Sequence, residues 1–296
     1  MTRTLPVWRS MLYVPVNVPR FVAGAADRGA DAVILDLEDA VAPTEKARAR
    51  TLLADAVPEV SRRGADVVTR VNRPWRLLVR DLEAAVIPGV TALALPKADS
   101  AEHVQAVAET MAELESERGI TEPIGLIAMV ETPGALFRME AIARAHPRMV
   151  ALTIGAEDLA SSVGMLPEAE GLLLPKQLSV FAARAAGILP LGFVGTVADY
   201  RDPAAFRAIV RRARRLGFLG AACIHPSLVP VLNEEFAPSV EEVAQAGRMV
   251  AAYDAALADG LGAITFEGKM IDVPVVDRAK ALLARAAAIA ARAGQA

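Results

Sequence analysis

Two carboxylates stand where an apolar run gives way to turn or helix-start residues. Glu131 lies in Met129-Val130-Glu131-Thr132-Pro133-Gly134 and Asp158 in Ile154-Gly155-Ala156-Glu157-Asp158-Leu159. If the two runs are neighbouring parallel strands, their C-terminal ends bring two hard oxygen donors together. Such a pair suits magnesium, which takes one or two protein carboxylates and keeps positions for water and substrate oxygens. Either acid alone can equally cap the helix that follows it, but their pairing on consecutive strand ends favours a metal site. Asp36, Glu38 and Asp39 follow Ala32-Val33-Ile34-Leu35. They can hold water around an ion and orient basic groups, or form a solvated loop. Arg70 ends another run, where its planar donors can bind a carboxylate or thioester oxygen, or neutralise that acidic cluster. Lys97, after Leu95-Pro96, is a substrate ligand or, slightly favoured, an internal ion-pair partner. His225 ends the last run and reads as a hydrogen-bonded rim histidine rather than a base.

These residues need a frame that gathers strand ends. Short apolar runs at residues 11–15, 32–37, 67–71, 92–96, 124–130, 150–154, 191–196 and 222–224 are too short for helices and show little polar alternation. That is the signature of strands buried on both faces of a parallel sheet. Between them, residues 19–28, 44–56, 101–118, 134–145, 173–186 and 203–216 carry apolar positions three or four apart and read as helices. Eight strand-helix units predict an α/β fold, a (β/α)8 TIM barrel, with its site at the C-terminal face of the strands. The expected division is a barrel catalytic domain over residues 1–238 and a C-terminal helical extension over 239–296. Helices are predicted at residues 239–257 and 275–293, joined by a connector, 260–274, that can be a linker, a lid or an arm over a neighbour.

Composition narrows the function classes. The chain has 296 residues, just over half of them hydrophobic at 54%, enough for a barrel-sized core. A formal net charge of −3 gives no electrostatic reason to expect nucleic acid or an anionic membrane as partner. The single cysteine, Cys223, lies in an apolar run and reads as an inert buried thiol in a reducing compartment. With no long apolar segment near Met1-Thr2-Arg3-Thr4-Leu5-Pro6 or later, the expectation is a soluble, cytoplasmic protein.

Taken in order, these segments resemble the HpcH/HpaI aldolase and citrate lyase family, in its citrate lyase β-subunit-like branch. The resemblance is carried by Arg9-Ser10-Met11-Leu12-Tyr13-Val14-Pro15, Asp36-Leu37-Glu38-Asp39-Ala40-Val41, Arg70-Val71-Asn72, Leu95-Pro96-Lys97, Val130-Glu131-Thr132, Gly155-Ala156-Glu157-Asp158-Leu159, Ile224-His225-Pro226 and Gly268-Lys269-Met270-Ile271-Asp272. It implies a Mg2+-dependent carbon-carbon lyase acting on acyl-CoA thioesters such as malyl-CoA or citramalyl-CoA, or on an acyl-carrier-protein ester. It further implies Glu131 and Asp158 as metal ligands, and Arg70, Glu131 and Thr132 as substrate contacts. Asp36, Glu38, Asp39 and Lys97 would support them. Asp272 would be an acid/base group on an arm that completes the site of an adjacent subunit, in a homotrimer or hexamer. Three places depart from the family pattern. Pro15-Val16-Asn17 replaces a Pro-Gly loop, residues 191–196 lack an acid, and residues 164–171 lack a basic residue. An acyl-CoA thioesterase on the same scaffold and a non-catalytic acyl-CoA-binding subunit are the competing expectations.

Overall fold

The apolar runs form eight parallel strands in the computed structural model, which describes residues 4–197 and 202–294. They are β1 (Ser10–Pro15), β2 (Ala32–Asp36), β3 (Asp66–Arg70), β4 (Ala92–Leu95), β5 (Gly125–Val130), β6 (Met149–Ile154), β7 (Leu189–Pro190) and β8 (Ala221–Cys223). Each pairs with its sequence neighbour from β1 to β7, and β8 returns to the free edge of β1. The two ends of the sheet meet where Leu191 bridges Gly220, with Gly192 N donating to Gly220 O at 2.8 Å and Leu219 N to Pro190 O at 3.0 Å. That closes the barrel and removes its edges.

Strand seven is shorter and earlier than expected. The chain leaves the sheet after Leu191 because Gly192 and Gly195 take φ of +134° and +154°, which a strand of L-residues does not follow. The helices Pro203–Arg215, Ala101–Glu117 and Ala169–Ala185 match expectation, whereas residues 44–56 and 134–145 are each broken into shorter helical pieces. The helix Trp75–Ala85, after β3, has no expected counterpart; its buried Leu78, Leu82 and Ala85 recur at helical spacing.

Strand alternation divides the core in two. Met11, Ala32, Ile34, Val68, Ala92, Ala94, Ile127 and Met129 fill the barrel interior. Leu12, Val33, Leu35, Val67, Leu93 and Leu126 pack outward against the helices. At Gly220 the fold requires glycine for space, since an added Cβ would lie 1.7 Å from the carbonyl oxygen of Trp8. Gly220→Ala is expected to destabilise the barrel by about 3 kcal/mol or more, a fall in Tm of roughly 6–12 °C on thermal denaturation.

By internal packing the chain divides into two compact units, Met1–Phe236 and Ala237–Ala296. In the second, the helices Val240–Ala258 and Val273–Ala293 pack together around Tyr253, Ile271 and Val276. The connector between them is an antiparallel hairpin of β9 (Ile264–Phe266) and β10 (Lys269–Ile271). Its two-residue turn, Glu267 and Gly268 at φ of +47° and +78°, suits the twist of the strands. Among the described residues no helix is long and apolar enough to cross a membrane.

Candidate functional site

The same alternation that fills the barrel places the polar side chains at its mouth. Tyr13, Asp36, Arg70 and Glu131 each follow an inward-facing residue by two positions: Met11, Ile34, Val68 and Met129. The register sets Asp36 of β2 directly beside Arg70 of β3. The pair is bidentate, with Arg70 Nε donating to Asp36 Oδ1 at 2.8 Å and Nη2 to Oδ2 at 2.7 Å. Nη1 reaches Glu38 Oε2 at 2.8 Å, and the guanidinium lies over the Tyr13 ring at 4.8 Å. Asp36 also accepts from the backbone N of Glu38 at 2.9 Å, so the loop after β2 is tied to the same carboxylate. Burial works against the Arg70 charge, but its hydrogen bonds to Asp36 and the nearby Tyr13 and Glu38 outweigh it and hold the guanidinium above its ordinary value. Arg70 thus neutralises the acidic cluster and also lines the central cavity.

Lys97 follows β4 in a left-handed conformation at φ +49°, uncommon for a residue with a side chain. The turn directs its ammonium among three carboxylates: Glu38 Oε1 at 3.1 Å, Asp158 Oδ1 at 3.1 Å and Glu131 Oε2 at 3.6 Å. These ion pairs offset the strain. They also keep the ammonium above its usual value despite burial, Glu131 and Glu38 contributing most.

Glu131, directly after β5, and Asp158, in the first turn of the helix that follows β6, come together at one cavity, and neither serves as an N-cap. Thr132 caps the helix Pro133–Leu136, its hydroxyl accepting from Ala135 N at 3.3 Å. The helix Ala156–Val163, whose first turn holds Asp158, has no side-chain cap at all. Glu131 is 2% exposed, and its Oε2 has no hydrogen-bond partner. Burial, reinforced by Asp158, pushes its carboxyl up to about 8, and burial pushes Glu38 up to about 7. A buried carboxylate oxygen that accepts no hydrogen bond, beside a second carboxylate, fits a hard divalent cation, with the ammonium of Lys97 supplying positive charge at the same point. Among the described residues no group of three or more His, Cys, Asp and Glu forms a closed metal cage. Two carboxylates leave the open positions that magnesium keeps for water and substrate.

A cavity of about 270 Å³ opens beside these groups, lined by Tyr13, Asp36, Asp39, Arg70, Glu131 and Asp158 on one side. Thr153, Lys176, Gly192, Phe193 and Thr196 line the other. Thr132 does not line it, and Glu38 and Lys97 join it through their ion pairs.

The family model for HpcH/HpaI aldolase/citrate lyase matches residues 9–226. The chain belongs to this family. Among relatives of the HpcH/HpaI lyases, it is 36% identical to citrate lyase subunit beta of Escherichia coli K12, over 94% of this chain and 93% of that protein. It is 33% identical to the L-malyl-CoA/beta-methylmalyl-CoA lyase of Cereibacter sphaeroides, over 96% of each. Its structure resembles that of CitE from Mycobacterium tuberculosis in complex with magnesium, acetoacetate and coenzyme A, with a TM-score of 0.75 and 34% identity over 97% of this chain and 100% of that one.

Tyr13, Gly155 and Lys176 also stand at the cavity, where the sequence motifs assign none of them a role of its own. For Lys176 the signal is its place on the buried stripe of its helix with Leu172, Ser179 and Val180. For Gly155 it is the step from strand to helix beside an acid. An added Cβ there would lie 2.7 Å from both Cγ and Oε1 of Glu131, while the backbone conformation itself is ordinary at φ −73°. Gly155→Ala is therefore expected to swing the Glu131 carboxylate aside and lower kcat/KM by about a hundredfold with little change in Tm, read by steady-state kinetics and thermal melting. His225 is held by Ser227, with Nδ1 at 2.6 Å from Oγ. Cys223 is buried, and burial pushes its thiol up to about 12, so it is inert.

Proposed function

We propose that this chain is a magnesium-dependent carbon-carbon lyase that cleaves a short 3-hydroxy dicarboxylic acyl-CoA, such as malyl-CoA or citramalyl-CoA, to an acyl-CoA and a 2-keto acid, or runs the reverse condensation. The observation that carries this reading is the meeting of Glu131 and Asp158 at one cavity, with a buried Glu131 oxygen that accepts no hydrogen bond and the Arg70 guanidinium in its wall. In the cleavage, the C3 hydroxyl loses its proton as C3 becomes a keto carbonyl. The C2–C3 bonding pair passes into the thioester enolate, and the enolate carbon then gains a proton.

Glu131 and Asp158 would hold magnesium, which when bound polarises the hydroxyl and the adjacent carboxylate. Arg70, fixed by Asp36 and Glu38 and stacked on Tyr13, sets positive charge against the thioester oxygen as the enolate forms. Lys97 balances the three carboxylates and keeps them convergent. Asp272 precedes the helix Val273–Ala293 at the N-cap position, yet its side chain makes no capping bond. An Asp there ordinarily caps, so a carboxylate left free of that duty suits the proton donor to the enolate carbon, supplied to an adjacent subunit of a trimer or hexamer. The cytoplasm, where coenzyme A esters and free magnesium occur together, fits this chemistry.

Mass spectrometry of products from a panel of hydroxyacyl-CoA esters with magnesium tests the reading. A keto acid together with a shortened acyl-CoA is the expected result. Free coenzyme A with an intact hydroxy acid would replace it with a thioesterase, and binding without turnover would replace it with a non-catalytic subunit.

A further inference from the structure

Lys176 lines the cavity with a charged side chain that the chemistry above does not use. It belongs to the helix Ala169–Ala185 and is 4% exposed, on a stripe otherwise made of Leu172, Ser179, Val180 and Ala183. Its Nζ donates to the carbonyl oxygen of Ile154 at 2.7 Å, and among the described residues no carboxylate pairs with it. An ammonium has three donors, so two remain free in a cavity wall. Burial pulls the amine down to about 8, with no opposing charge.

Such a group is costly. Leaving a charge buried without a partner disfavours the folded state, and an unbranched apolar side chain would fill the same volume without that penalty. The packing of the helix therefore gives no reason for lysine. Gly192, which lines the cavity beside it at φ +134°, leaves space next to the amine, since an added Cβ would lie 3.4 Å from Nζ. The carbonyl that anchors the amine belongs to Ile154, the residue before Gly155, against which Glu131 packs. Lys176 is thus tied to the strand end beside the ion-binding pair, whereas Arg70 comes from β3, the strand next to β2.

We propose that the Lys176 ammonium receives a second carboxylate on the keto-acid half of the substrate, and so selects hydroxyacyl thioesters whose C3 substituent is anionic over those whose C3 substituent is a small alkyl group. This rests on the lyase reading above for which half of the substrate lies near Glu131 and Asp158, and it narrows that reading by disfavouring citramalyl-CoA, whose C3 carries a methyl group. A carboxylate entering there would find the two free donors and supply the missing counter-charge.

Two coenzyme A esters that differ only at C3, carboxymethyl in one and methyl in the other, test it with magnesium present. The protein is expected to favour the carboxymethyl ester, and Lys176→Met to lower kcat/KM for that ester by about tenfold or more, through KM, bringing the two esters level. Lys176→Arg should retain part of the preference. Thermal melting separates this from damage to the fold, because Lys176→Met is expected to melt no lower than the parent. A parent that uses both esters equally, or a preference that survives Lys176→Met, overturns the proposal. Calorimetry with a dicarboxylic 2-keto acid and with pyruvate keeps the test independent of turnover. If neither ester is cleaved, the lyase reading fails, but tighter binding of the dicarboxylate that Lys176→Met abolishes still supports the anion site, and equal or absent binding overturns it.

Discussion

Glu131→Gln is expected to lower kcat/KM by about a thousandfold or more while leaving the barrel folded. The amide keeps the shape of the carboxylate but removes the charge and one of two oxygen ligands, and magnesium binds neutral amides poorly beside waters it can retain. The folded state has little to lose. Glu131 Oε2 has no hydrogen-bond partner, its contact with Lys97 spans 3.6 Å, and burial already pushes the carboxyl up to about 8. The Tm of the variant should therefore equal or exceed that of the parent. The raised value also fixes the pH dependence of metal binding. Below about 8 the metal-free carboxyl holds its proton, and the ion must displace it, so magnesium affinity rises with pH toward that value and binding releases protons. Calorimetry in buffers of different ionisation enthalpy measures that release, and in Glu131→Gln it should vanish. Unchanged turnover in the variant would remove Glu131 from the mechanism.

The legible part of this site was the part written in the short apolar runs. Glu131, Asp36 and Arg70 could be placed because each ends such a run, and a parallel barrel gathers strand ends on one face. Less was readable where geometry depends on single backbone conformations. Strand seven was expected over residues 191–196, but Gly192 and Gly195 turn the chain out of the sheet, and an apolar run alone does not reveal a left-handed φ. Lys97 pairs with Asp158 through a positive φ that the sequence does not announce. Thr132 is implied as a substrate contact by the resemblance, whereas its hydroxyl accepts from Ala135 N and it does not line the cavity. Lys176 was hidden by the helical pattern itself, because a window that reads apolar on average absorbs one lysine on its buried face. The helix Trp75–Ala85 escaped for a related reason, since its buried stripe includes Asp81, which pairs with Arg50 and accepts from Asn72.

Asp272→Asn is expected to cost about a hundredfold to ten-thousandfold in kcat, with magnesium and thioester binding retained, because it removes a proton donor and not a ligand. The fold of the C-terminal unit should tolerate it. The Asp272 side chain makes no capping bond, the hairpin is held by β9 and β10, and Ile271 and Val276 supply the buried contacts on either side. The decisive measurement combines this variant with Glu131→Gln. If Asp272 acts in the site of an adjacent subunit, mixed oligomers contain sites with Glu131 from one chain and Asp272 from the next, although neither parent variant has an intact site. Random reassembly of equal amounts makes about one site in four complete, whatever the closed symmetry, so activity should return to about a quarter of the parent value. If the residue instead serves the barrel of its own chain, every site in the mixture lacks one group and activity stays at the level of the separate variants. A mixture that regains activity while Asp272→Asn alone binds magnesium normally would place the ion-binding pair and the proton donor on different chains, and would make oligomerisation a condition of catalysis rather than of stability.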